Sequence, residues 1–186
     1  MKQIIIGIVG QFASGKGTVS KYLAKKYHAK VLKFSDVLTD ILNRVGQDVI
    51  RANQSKVAES LRKDFGEDIL SQVLMKNIVT SSKKIVVIDG FRKMGELNFF
   101  KGMDNFVLIN VKADLKTRYR RIMNRGEKAD EKKKSLKSFK NDHRLAADTD
   151  IVKVGKQANY TVNNFETKEK LYKQIDKIIK KINEKK

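Results

Sequence analysis

Ile4-Ile5-Ile6-Gly7-Ile8-Val9-Gly10-Gln11-Phe12-Ala13-Ser14-Gly15-Lys16-Gly17-Thr18 is the stretch on which the fold turns. Its opening run, residues 4–9, is almost wholly apolar, as a strand buried on both faces requires. A glycine-containing turn follows, and from Lys16 the pattern becomes helical, with Val19, Tyr22 and Leu23 on one stripe. Gly10 to Thr18 satisfies G-x-x-x-x-G-K with a hydroxyl two places after the lysine. The glycines let the main chain curl so that successive N–H groups face one hollow, and the helix adds the positive end of its dipole. A strand before the motif and a helix after it form the setting in which such a loop holds phosphate. Gly10, Ala13, Ser14, Gly15, Lys16, Gly17 and Thr18 are therefore expected to bind a nucleotide, ATP being the usual choice. Lys16 is expected to reach its β- and γ-phosphates.

The rest of the chain repeats the alternation of strand and helix. Strands are predicted over residues 4–9, 30–34, 85–88, 106–111 and 160–162. Helices are predicted over 16–28, 36–44, 51–65, 69–79 and 95–100, then from Asp114 to near Gly126, over 129–147, and from Thr167 onward. In the last of these Leu171, Ile175, Ile178 and Ile182 point inward. Asp36 is a plausible N-cap, and Val57, Ala58, Leu61 and Phe65 share one side of the third helix. Such alternation calls for a parallel sheet covered on both faces: an α/β fold of three layers, with five strands and one domain over residues 1–186. The charged segment 126–147 is expected to form a helical lid.

Composition narrows the chemistry. The chain has 186 residues, 40% hydrophobic and 33% charged, enough for one domain with a sizeable core. It has no cysteine, and its two histidines are His28 and His143, which argues against thiol chemistry and a dedicated transition-metal site. A divalent metal should therefore be hard, oxygen-liganded and shared with phosphate, as Mg²⁺ is. No run reaches the ~20 apolar residues of a membrane span, and the first strand is too short for a signal peptide. A cytoplasmic protein, monomeric or homodimeric, is the expectation. Forty-one Lys and Arg against 21 Asp and Glu give a net charge of +20. Much of this excess is scattered lysine, so a solvated basic surface is favoured over a nucleic-acid partner.

Two further features bear on the site. Asp89 closes the apolar run 85–88, where a carboxylate at the carboxyl edge of a central parallel strand can hold Mg²⁺ directly or through water. Arg118, Arg121 and Arg125 stand at i, i+3 and i+7 and share a helix face, where they repel one another unless an anion lies between them.

Several segments, in order, resemble the nucleoside monophosphate kinase superfamily. Gly15-Lys16-Gly17-Thr18 is similar to the GKGT loop of adenylate kinases. Ser35-Asp36-Val37-Leu38 resembles their acceptor segment, Asp89-Gly90-Phe91-Arg92 their D-G-F-P-R motif, and Arg121 to Arg125 the R-I-x-x-R that begins their lid. The chain departs from that pattern in lacking the proline of D-G-F-P-R and in carrying Thr39 where an arginine would stand. Leu61 to Gly66, Asp89 to Glu96 and Ala158 to Asn164 look closer to the dephospho-CoA kinase-like and deoxynucleotide kinase branch.

The resemblance implies transfer of the γ-phosphoryl of MgATP to a small nucleotide-type acceptor. A (deoxy)nucleoside monophosphate comes first, and dephospho-CoA is the alternative. Lys16, Asp36, Arg92, Arg121 and Arg125 are the implied catalytic residues, Arg121 also touching the cofactor, with Thr18 and Asp89 at the metal. Arg92, together with Arg62, would hold the acceptor. Asp36 would position it or accept the proton of an alcohol. An RNA-associated ATPase switch is the reading from another class, suggested by the charge.

Overall fold

The computed structural model describes residues 3–125, 139 and 146–184. In chain order the elements are β1 (Ile4–Val9), α1 (Lys16–Tyr27), β2 (Lys30–Lys33), α2 (Phe34–Arg44), α3 (Arg51–Phe65) and α4 (Ile69–Val79). There follow β3 (Ile85–Asp89), α5 (Met94–Lys101), β4 (Phe106–Lys112), α6 (Leu115–Arg125), α7 (Ala146–Lys156), β5 (Tyr160–Asn163) and α8 (Lys168–Glu184). The strands form one sheet in the order β2-β3-β1-β4-β5, every neighbouring pair parallel. The five parallel strands and the layers on both faces are those the alternation predicts.

Side-chain alternation along the central strand feeds two cores. Ile4, Ile6 and Ile8 face α1 and α8, meeting Val19, Leu23, Leu171 and Ile175. Ile5 and Val9 face the opposite layer, built on Leu38, Leu74, Leu97 and Val154. Gly7 lies on that second face, where a Cβ would stand 2.8 Å from side-chain atoms of Phe91 and Phe106. Its bare backbone lets an aromatic cluster sit directly on the sheet, with Phe91 at 5.1 Å from Phe34 and 5.9 Å from Phe100, centroid to centroid.

Some expectations are corrected. Asp36 is not the N-cap of α2: the helix begins two residues earlier at Phe34, its cap is the extended Lys33, and Asp36 is an acid in the first turn. Burial of Phe34 and Leu38 in the core pulls the start of the helix forward to Phe34. Phe65 does not join its stripe. It ends α3 at 65% exposure, because the chain turns at Gly66 before the side chain can reach the core. Helix α7 was not anticipated beyond residue 147, and it buries Ile151 and Val154. The lid expected over 126–147 lies outside the described residues, except for Phe139 and for residues 146 and 147, which begin α7.

A polar knot joins α1 to α8. Tyr22 and Tyr27 each donate a hydroxyl hydrogen to Asp176 at 2.7 Å, Lys26 donates at 2.8 Å, and Tyr172 stacks on Tyr22 at 3.9 Å. Burial opposes ionisation of Asp176, but the bonds from Lys26 and the two tyrosines outweigh it and hold the carboxyl below its ordinary value of 3.8. Burial and the bond to Asp176 push the Tyr27 phenol up to about 12. The depressed acid contributes stability that disappears as pH falls through its folded value. The raised phenol contributes stability that is complete below its ordinary 10.0 and disappears as pH climbs toward about 12. Asp176→Asn should cost about 1–2 kcal/mol near neutrality and flatten both limbs of a plot of urea midpoint against pH. An unchanged profile would show that the knot is energetically idle.

The topology fixes where a ligand can sit. Strands β1 and β3 are neighbours, yet α1 leaves β1 onto one face and α5 leaves β3 onto the other. A crevice opens at the carboxyl ends of two such strands. Residues 10–15 and 90–93 form its walls.

Candidate phosphate-binding site

Residues 10–15 form a tight turn between β1 and α1. Ala13 (φ 59°) and Gly15 (φ 101°) are left-handed, the Ser14 amide donates to the Gln11 carbonyl at 3.0 Å, and Thr18 and Val19 donate back to Gly15. At Gly15 a Cβ would stand 2.0 Å from Nδ2 of Asn164, so both the backbone angle and the space demand glycine. Helix α1 has no side-chain cap and no acid in its first turn, which leaves its opening amides and dipole for an external anion.

The loop is held from behind. The Ser14 carbonyl accepts from Asn164 Nδ2 at 2.8 Å and from Arg121 Nη1 at 3.2 Å. Arg121 also donates to the Ala13 carbonyl and, through Nη2, to the carbonyl of Asn164 at 2.8 Å. Asn164 is anchored in turn by its amide, which donates to the Lys112 carbonyl at 2.7 Å. In a trans peptide the carbonyl and the following N–H point in opposite directions. Drawing the Ser14 carbonyl outward therefore turns the Gly15 N–H into the hollow. Lys16 folds over the same hollow, its Nζ donating to the carbonyls of Gly10 at 2.6 Å and Gln11 at 3.2 Å.

Asp89 stands at the end of β3, in register with Ile8. Its carboxylate accepts a hydrogen bond from Ser20 of α1 at 2.9 Å. Among the described residues no group of three or more His, Cys, Asp or Glu could hold a metal by itself. A sparse oxygen set of Thr18 and Asp89 suits an ion bound mainly by phosphate and water. The hydroxyl of Ser14, buried in the loop without a hydrogen-bond partner, and the uncapped amides of α1 fit a phosphate neighbour. Gly17 would carry a Cβ into open space, so the missing hydroxyl at that position is not excluded by crowding.

The other predicted residues are distributed around this hollow. Arg118 is buried, donates to the Phe12 carbonyl at 3.4 Å, and lies 5.9 Å from the Phe139 ring. Asp114 caps α6, accepting from the amide and hydroxyl of Thr117, which hold its carboxyl below the usual range. Arg125 ends α6, and its side chain and Arg144 lie outside the described residues. Arg92 is exposed three residues beyond Asp89, and Asp36 is exposed at the start of α2. Arg62, read as an acceptor residue, is engaged elsewhere: its Nη2 donates to buried Glu96 at 2.6 Å. The second Glu96 oxygen accepts the amides of Arg92 and Lys93 at 2.7 and 3.1 Å. Lys93 further pairs with Asp150 of α7 at 2.6 Å, which holds the Asp150 carboxyl down. A cavity of about 360 Å³, bordered by Gly10, Gln11, Asn110, Ile151 and Phe165, opens beside the loop.

Three residues that shape the site were not singled out from sequence: Ser20, Glu96 and Asn164. Ser20 falls on the inner face of α1 one turn after Lys16, a position the helical period could have exposed. Glu96 and Asn164 entered only as the last residues of segments that carry the family resemblance, with no role assigned to either.

The chain resembles known proteins in sequence and in fold. The AAA domain family matches residues 9–140. A UPF0200 protein of Methanoculleus marisnigri is 32% identical over 127 residues, 68% of this chain and 69% of the relative. A UPF0200 protein of Methanococcus vannielii is 30% identical over 180 residues, 96% of each chain. Among solved structures, TT1252 from Thermus thermophilus superposes with a TM-score of 0.59 at 19% identity, covering 97% of this chain and 98% of its own. Shikimate kinase from Bacteroides thetaiotaomicron superposes at 0.64 and 13% identity with the same coverage. At these identities the likeness is one of fold, a phosphate-loop kinase-like fold. No helix among the described residues is long and apolar enough to cross a membrane. With its phosphate loop, sheet and full-length relatives in agreement, the chain belongs to the UPF0200 family and, over residues 9–140, to the AAA domain family.

Proposed function

We propose that the protein is a phosphotransferase that moves the γ-phosphoryl of MgATP to a small nucleotide-type acceptor. The observation that carries this reading is the outward hold of Asn164 and Arg121 on the Ser14 carbonyl, which aims the Gly15 amide inward beside Lys16. That is a cradle for polyphosphate built at a topological switch point. Gly10, Ala13, Ser14, Gly15, Gly17 and Thr18 line it with main-chain donors, and Lys16 leaves its two carbonyl partners for the β- and γ-phosphates. Arg121 acts from outside the cradle, by fixing the loop. Thr18 and Asp89 would hold Mg²⁺, which would supply charge neutralisation to the phosphate groups. Arg125 completes the basic edge toward the lid, and Arg92 binds the acceptor. Asp36 orients the acceptor or, for an alcohol, takes its proton.

A nucleoside or deoxynucleoside monophosphate is the first acceptor to test. Dephospho-CoA follows from the likeness of the 158–164 segment. Shikimate, bound in the Acinetobacter baumannii kinase of similar fold, serves as an alcohol of another class. A coupled assay of ADP release over this panel should show one acceptor accelerating turnover at least about tenfold over hydrolysis by water. Slow acceptor-independent ATP hydrolysis, stimulated by RNA and collapsing with salt, would replace this reading with that of an RNA-associated switch.

A further inference from the structure

The crest of the phosphate loop is Phe12, and two arginines reach it from different elements. Arg118 of α6 donates to its carbonyl, while Arg51 of α3 places its guanidinium carbon 5.6 Å from the centre of the Phe12 ring. Arg51 is the first residue of α3. It has no carboxylate partner among the described residues, and it stands where the helix dipole is itself positive, with no acid in the first turn. The loop that carries Phe12 also leads into the uncapped start of α1 and is touched by the ammonium of Lys16. Arg51 thus adds an exposed positive charge beside the loop, where an anion is favoured.

The position of Arg51 is firmly set. One turn along, Gln54 donates from Nε2 to the Thr39 hydroxyl of α2 at 3.0 Å, and Asn53 donates to the Asp48 carbonyl at 2.9 Å. Farther along, Val57 and Leu61 pack onto the core. The backbone of the first turn is thus fixed against α2, while the guanidinium itself is exposed and rests on an aromatic face, a weak hold that a charged ligand displaces readily.

We propose that Arg51 is a further substrate-binding residue, which leaves the Phe12 ring to grip the anionic group of the acceptor beside the phosphate loop. It makes a negatively charged acceptor, a phosphomonoester, the preferred class. This rests on the phosphotransferase reading and adds to it a residue of α3, an element outside the two walls of the crevice.

The test is calorimetric, on the full chain. Wild type, Arg51→Ala, Arg51→Lys and Phe12→Leu are titrated with a non-hydrolysable Mg-ATP analogue. Each saturated protein is then titrated with AMP, GMP, CMP and UMP and with the matching uncharged nucleosides. Arg51→Ala should weaken the best monophosphate roughly 10- to 100-fold, the range of a lost charge-assisted bond. Affinity for the analogue and for the nucleoside should stay within about twofold, with Arg51→Lys between wild type and Arg51→Ala. Phe12→Leu, which removes only the resting place, should keep monophosphate affinity within about threefold. Monophosphate binding unchanged in Arg51→Ala, or lost equally in Phe12→Leu, overturns the proposal. So does a wild-type protein that binds the analogue and no monophosphate, an outcome that leaves the ATP site standing. A protein indifferent to the analogue itself removes both the proposal and the reading beneath it.

Discussion

Lys16→Ala should reduce phosphoryl transfer by roughly 10²–10³-fold while leaving the protein folded, the loss typical of one preorganised charge partner at a reacting group. The lysine folds over the hollow of the loop, its Nζ 2.6 Å from the Gly10 carbonyl and 3.2 Å from the Gln11 carbonyl. Both carbonyls are acceptors that water can satisfy, so removing the ammonium costs stability by about 1 kcal/mol at most. The effect therefore belongs to the chemistry, and a melting midpoint within a few degrees of wild type is part of the expected result. Lys16→Met, which keeps most of the side chain's bulk, should be as inactive as Lys16→Ala, because charge rather than packing is what the phosphates require. Transfer retained to a third or more of the wild-type rate in either variant would mean that the loop is not where the γ-phosphoryl resides.

The phosphate loop was legible because its signal is local. The residues whose own backbone makes the curl lie within a few positions of Gly15, and an apolar strand and a helical stripe bracket them, whereas the Arg121 and Asn164 that brace the loop are remote. The strands were legible for the same reason, since burial on both faces leaves an unbroken run such as Ile85 to Ile88. Helix α7 was not, because among its described side chains the buried apolar ones are Ile151 and Val154, and Gly155 near its end reads as an interruption. That glycine is required by packing: a Cβ there would stand 2.9 Å from the Asn110 amide, which donates to the Gly155 carbonyl. The start of α2 was misplaced because a polar residue signals a cap locally, whereas here the packing of Phe34 decides where the helix begins.

Arg62 and Arg121 carry the deepest lesson. Helix-face spacing and the family resemblance assign Arg121 to the transfer zone and cofactor, and Arg62 to the acceptor beside Arg92. The structure gives Arg62 a buried glutamate, and has Arg121 donate to main-chain carbonyls of Ala13, Ser14 and Asn164 and to the Asn164 side chain, partners distant in sequence and invisible to any local motif. Arg51 is the converse case, an arginine that looked like an ordinary start to a helix and that the fold brings to the loop's crest.

Glu96→Ala should unfold the protein more readily by about 3–5 kcal/mol, the cost of breaking a buried ion pair from one side. Glu96 is 1% exposed and is the meeting point of three donors: the Arg62 guanidinium and the amides of Arg92 and Lys93. Truncation leaves a cation whose side chain is only 13% exposed facing an apolar void. It also strips the first turn of α5 of the acid that caps it from within. The Arg62 Nε is already buried without a partner, so the guanidinium has little reserve of hydrogen bonds to fall back on. Urea unfolding should show the loss directly, and the melting midpoint should fall by roughly 10 °C for a chain of this size. Replacing both partners, Glu96→Leu with Arg62→Met, should recover much of the stability, since an apolar pair of similar volume avoids the stranded charge. That double variant should nevertheless transfer phosphate poorly, because the amides of residues 92 and 93 lose the carboxylate that sets the loop carrying Arg92. A destabilisation below about 1 kcal/mol in Glu96→Ala would place Glu96 outside the core of the acceptor wall. Full activity in the double variant would show that Arg92 finds its place without the buried carboxylate.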